Sequence, residues 1–185
     1  LGLGCMAMTN LYGAVDEGEA IATVRAALDA GANFLDTADA YADGKNEQLL
    51  ARALADGYRA KAVVASKFGN VRTPDGKPAA NGRPEYVIEA CNKSLARLGI
   101  DAIDLYQIHW PERYTPLFGE WQFDPAKDKQ DATPVLEQLE ALDRIVKAGK
   151  VRYIGLSNET PYGVMRFLQL ADQHHLPRVV SIQNA

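Results

Sequence analysis

Asp36, Tyr41, Lys67 and His109 are an acid, a phenol, an amine and an imidazole, the side-chain types from which a proton-transfer site is built. Three of them end runs that read as successive parallel strands: Phe34-Leu35-Asp36, Val63-Val64-Ala65-Ser66-Lys67 and Leu105-Tyr106-Gln107-Ile108-His109. Tyr41 lies one turn beyond Asp36. Taken singly, Asp36 could cap a turn, Lys67 could be a solvated strand end and His109 a hydrogen-bonded structural histidine. Collected at consecutive strand ends, they point to one shared site.

The elements that must position these groups alternate along the chain. After a short first strand at Leu1–Cys5, Asp16 with Glu19 opens a helix whose apolar face is Ile21, Val24 and Leu28, closed by Gly31. Asn33–Thr37 reads as a buried strand, and Asn46 as the cap of a helix carrying Leu49, Leu50, Ala53 and Leu54. Ala62–Lys67 is the third strand. A Gly/Pro-rich loop over Gly69–Arg83 leads to a helix starting at Pro84, with Val87, Ile88, Cys91, Leu95 and Leu98 before Gly99. Ile103–His109 is the fourth strand, and Trp110–Ala132 is a long aperiodic loop of the kind that is functional or disordered. Thr133 and Pro134 open a helix ending at Gly149. Val151–Ser157 is the fifth strand, Thr160-Pro161 starts a further helix, and Val179–Gln183 is the sixth strand.

Strict alternation of strand and helix means a parallel sheet, either open and doubly wound or closed into a barrel. An open dinucleotide-binding sheet carries a Gly-rich fingerprint across its first turn. In Leu1-Gly2-Leu3-Gly4-Cys5 the glycines come before the turn, which favours the barrel. The expected fold is therefore α/β, a (β/α)8 TIM barrel in which this chain supplies the first six units, forming a single domain over 1–185 that is incomplete at its C-terminal end. The chain starts at Leu1 and stops inside a strand, so it reads as cut at both ends.

These segments resemble the aldo-keto reductase family. Asp36-Thr37-Ala38-Asp39-Ala40-Tyr41 is similar to its DTAxxY segment, Ser66-Lys67 to the lysine ending its third strand, and Asp104-Leu105-Tyr106-Gln107-Ile108-His109 to its fourth-strand histidine motif. Gly149-Lys150-Val151-Arg152-Tyr153-Ile154-Gly155-Leu156-Ser157-Asn158 and Ile182-Gln183-Asn184 match further motifs in order, and from Trp110 onward the wording is closest to the Tas-like bacterial branch. The resemblance implies NADPH-dependent reduction of an aldehyde or ketone. Tyr41 would then be the proton donor; a free phenol titrates at about 10, and Lys67 beside it would favour the ionised form. Asp36 would hold the ammonium, and His109 would hydrogen-bond and polarise the carbonyl oxygen. Ser157, Asn158 and Gln183, with Asp36, would line the nicotinamide, and no metal is implied. Two rivals share the fold: a regulatory protein of the kind seen among potassium-channel β subunits, and a fragment without activity.

Composition sets the outer limits. Apolar residues make up 47% and charged residues 24%, and no apolar run approaches the roughly 20 residues of a membrane span. A net charge of -4 offers no footprint for nucleic acid. Cys5 and Cys91 sit in apolar surroundings, as expected of free thiols in a reducing cytoplasm. Met6, Met8 and Tyr12 could line a substrate mouth or pack at its rim, and Trp110, Tyr114, Phe118, Trp121 and Phe123 could form a lid or pack under the long loop. His174 and His175 are adjacent at a helix end and suit the helix dipole rather than a metal. The expected partners are a small carbonyl substrate and, through an open barrel edge with Leu3, Val180 and Ile182 facing inward, further copies of the chain.

Overall fold

The computed structural model describes residues 1–9, 13–116, 120, 122–129 and 131–184. Strands β1 (Gly2–Gly4), β2 (Phe34–Asp36) and β3 (Val63–Phe68) alternate with helices α1 (Glu17–Asp29) and α2 (Lys45–Leu54). A small hairpin of β4 (Asn70–Arg72) and β5 (Pro78–Ala80) follows, then α3 (Pro84–Leu98), β6 (Ile103–Ile108), α4 (Val135–Lys147), β7 (Val151–Ser157), α5 (Pro161–His174) and β8 (Val179–Gln183). Apart from the hairpin, the strands form one parallel six-stranded sheet in the order β1-β2-β3-β6-β7-β8. Three strands separate β2 from β8, yet Gln183 Nε2 lies 3.3 Å from Asp36 Oδ2. That contact requires the sheet to curl, and it does so as part of a (β/α) barrel wall.

Register then decides which side chains meet inside. Asp36 pairs with Ala65, Lys67 with Gln107, Gln107 with Gly155, and Ser157 with Gln183. Partners in register share a face, and so do residues two apart on a strand. Asp36, Lys67, Ser157 and Gln183 therefore share the concave face, and His109 follows Gln107 by two. The opposite face carries Leu35, Val64, Tyr106, Ile108, Ile154 and Leu156, all buried against the helices.

Leu3 and Ile182 lie in register with Leu35 and Leu156, so they belong to that outer face and not to the interior as expected from the sequence. Leu3 packs against the core; Ile182 and Val180, the latter where the β7–β8 register shifts, stay exposed.

Helix boundaries follow local chemistry closely. The Asp16 side chain accepts from Glu19 N at the start of α1, Gly99 closes α3 in a left-handed conformation, and Thr160 caps α5 through Gly163 N. Asn46 departs from its expected role, because the cap of α2 is Gly44, again left-handed, and makes no side-chain bond. A fully buried Asn46 instead accepts from Thr37 Oγ1 at 2.7 Å and donates to Cys5 O at 2.7 Å and Thr9 Oγ1 at 2.9 Å. It ties together the ends of β1 and β2 and the first turn of α2. Asn46→Ala strands the buried Thr37 hydroxyl and leaves the Cys5 carbonyl with Met8 N as its donor, so unfolding in urea should show a loss of about 2 kcal/mol. A loss below about 1 kcal/mol would mean that the three bonds are replaceable.

Candidate active site

Lys67 is the centre of the site. Its side chain is 1% exposed, and its ammonium donates to Asp36 Oδ2 at 2.8 Å, Thr37 O at 3.0 Å and Tyr41 Oη at 3.1 Å. An ammonium has three hydrogens, and each has an acceptor here. Because the phenol oxygen already accepts from Lys67, its own hydrogen is left to point elsewhere.

The turn that delivers Tyr41 is pinned from both sides. Thr37 N donates to Ala65 O and Asp39 N to Lys67 O, while Ala42 and Asp43 adopt positive φ before Gly44. Beyond the turn, Glu47 is fully buried and accepts from Ser66 Oγ at 2.6 Å and Arg97 Nε at 2.6 Å. Gly44 is required there, since a Cβ would stand 2.5 Å from Arg97 Cδ. Asp39 is less fully compensated, its Oδ1 buried without a partner among the described residues. Burial and the nearby Glu47 charge push its carboxyl up to about 7, against the pull of Arg97 and hydrogen bonds from the Ala40 backbone and Tyr86.

His109 closes the other side of the cluster, its ring 5.7 Å from that of Tyr41 and nearly perpendicular to it. Burial, reinforced by the Lys67 charge, pushes its pKa down to about 3. The imidazole is therefore neutral near pH 7 and acts as a hydrogen-bonding group rather than a cation. Its Nδ1 is buried and has no partner among the described residues. Trp110 stacks on His109 with ring centroids 6.3 Å apart.

The strand ends of β7 and β8 complete the arrangement. Asn158, in a left-handed conformation, donates to His109 O at 2.9 Å and Ser157 Oγ at 3.1 Å, and Ser157 Oγ donates to Gln183 O at 3.1 Å. Gln183 accepts from Gln107 Nε2 at 2.9 Å and donates to Asp36. Asn158 thus spends both amide hydrogens and leaves Oδ1 as an acceptor, while Gln183 retains one Nε2 hydrogen. An acceptor on Asn158 and a donor on Gln183 match in type the two polar groups of a primary carboxamide, so the residues present fit a nicotinamide.

All seven sequence-derived candidates, Asp36, Tyr41, Lys67, His109, Ser157, Asn158 and Gln183, are joined by these contacts. Gln107 was missed as a site residue, although its place two before His109 on one strand put it on the same face. Met8 packs against the core, the Tyr114 and Phe123 rings lie 5.4 Å apart at a tilt of 40°, and Tyr12, Phe118 and Trp121 lie outside the described residues. His174 ends α5 and His175 caps it with a positive φ. Cys5 and Cys91 are free and buried, burial pushing their thiols up to about 12 and about 11. Among the described residues no helix is long and apolar enough to cross a membrane, and no cluster of three or more His, Cys, Asp or Glu could hold a metal.

Residues 1–185 match the Aldo/keto reductase family, and the chain belongs to it. It is 40% identical over 198 residues to Protein tas of Escherichia coli (strain K12), covering 100% of this chain and 55% of that protein. In structure it is similar to the holo form of an aldo-keto reductase from Bacillus halodurans, with a TM-score of 0.75 and 33% identity over 100% of this chain and 52% of the other. An aldo/keto reductase from Klebsiella pneumoniae in complex with NADP and acetate matches with a TM-score of 0.68 and 28% identity, over 94% of this chain and 50% of that one. The chain thus spans about half the length of the relatives it matches.

Proposed function

We propose that this protein reduces aldehydes or ketones to alcohols with NADPH, Tyr41 delivering the proton to the carbonyl oxygen. The observation that carries the reading is the saturated Lys67 ammonium, which occupies the Tyr41 oxygen and leaves the phenol hydrogen free to reach a substrate. As that proton leaves, the charge developing on Tyr41 faces Lys67, and Asp36 keeps the ammonium in place. A neutral His109 hydrogen-bonds the carbonyl oxygen and orients it toward the phenol. The nicotinamide, when bound, supplies hydride. Ser157, Asn158 and Gln183, with Asp36, would hold its carboxamide end, and the NADP in the Klebsiella pneumoniae relative supports NADPH as the cofactor.

Two buried free thiols support a cytoplasmic setting, and the exposed Val180 and Ile182 on the edge strand β8 support self-association along that edge. The test is to titrate NADPH against the protein by fluorescence and to follow its oxidation with 4-nitrobenzaldehyde, with and without a chelator. Saturable binding and turnover that a chelator leaves unchanged are expected, since no step uses a metal. Binding without any turnover would favour the regulatory alternative, and chelator-sensitive activity restored by metal would overturn the role given to His109.

A further inference from the structure

The segment after His109 is fastened more firmly than a surface loop requires. Arg113 grips Glu159 with both arms of its guanidinium: Nη1 donates to Oε2 at 2.8 Å, and Nη2 donates to Oε1 and, at 3.2 Å, to Thr160 Oγ1. The Glu159 side chain is 3% exposed and that of Arg113 22%. The same carboxylate accepts from Thr160 N at 2.6 Å, and the Asn184 side chain brackets the Glu159 backbone, donating to its carbonyl at 2.9 Å and accepting from its N–H at 3.2 Å. Gly163 makes room, because a Cβ there would stand 2.2 Å from the Glu159 carboxylate. On the other side of the strap, Glu112 Oε2 accepts from Gly82 N at 2.9 Å.

Glu159 directly follows Ser157 and Asn158, and Arg113 lies four residues beyond His109. We propose that Arg113 and Glu159 are positioning residues, a buried latch that locks the segment carrying His109 and Trp110 onto the strand end that faces the cofactor. The latch sets where the carbonyl substrate lies relative to the nicotinamide, and in this it rests on the function proposed above. Neither residue touches the reacting atoms, so the latch acts through His109.

Arg113→Lys keeps the charge but loses the fork, and Glu159→Gln keeps the shape but loses the charge. In both variants, amide hydrogen exchange over 111–116 should speed up about tenfold, and the KM for 4-nitrobenzaldehyde should rise about tenfold while kcat and the NADPH Kd stay within about twofold. Unchanged exchange in both variants overturns the latch, as does a lowered melting temperature with KM unaltered. If the unmodified protein neither binds NADPH nor reduces the aldehyde, the proposed function fails, and exchange over 111–116 alone then decides whether the latch exists.

Discussion

Tyr41→Phe should lower the rate of carbonyl reduction by about 10²- to 10⁴-fold while leaving NADPH affinity within about twofold, because it removes the phenol hydroxyl and keeps the ring. The ring keeps its edge contact with His109, and the turn bonds run through the backbone of Thr37, Asp39 and Tyr41 itself. Lys67 loses one of three acceptors but keeps Asp36 and Thr37 O, so its charge stays compensated. Among the described residues no protein group accepts the phenol hydrogen, whose oxygen is taken by Lys67, and its loss is felt only when negative charge develops on a substrate oxygen. Single-turnover oxidation of bound NADPH measures the chemical step directly. A variant keeping more than about a tenth of the rate would assign the proton to another group or to water.

The site was legible in the sequence because a parallel sheet turns two regularities into one location. Strands end on a common rim, and the two-residue period puts Asp36, Lys67, Ser157 and Gln183 on a common face. What period and strand ends do not encode is contact between distant segments. The Arg113–Glu159 pair joins two loops with no periodicity of their own, and Asn46 has the local sequence of a cap although its bonds run elsewhere. Its buried partners, Cys5 and Thr37, are assembled only by the fold. The β4–β5 hairpin was hidden for a different reason. Asn70-Val71-Arg72 and Pro78-Ala79-Ala80 have little strand propensity, and the pairing is closed by the Thr73 side chain bonded to Asp75 and to the Lys77 backbone. The expected inward direction of Leu3 and Ile182 failed by one residue of register, enough to move a side chain to the opposite face.

Lys67→Met should be the most damaging change in the chain, for folding and for catalysis at once. It leaves the Asp36 carboxylate, 14% exposed, with only the long Gln183 contact at 3.3 Å and one oxygen already buried without a partner. It also strips the Thr37 carbonyl and the Tyr41 oxygen of their donor. Removing one member of a buried ion pair costs about 3–5 kcal/mol, so the urea midpoint should fall sharply and turnover should disappear. The two losses have separate causes, and a second substitution separates them. Asp36→Asn added to Lys67→Met removes the uncompensated charge, so stability should recover to within about 1–2 kcal/mol of the parent while the rate stays down by at least about 10³-fold. Recovery of stability without activity is what a buried ion pair serving the reaction predicts. If the double variant regained turnover as well, Lys67 would be a structural lysine, and the charge developing on Tyr41 would be met by some other group.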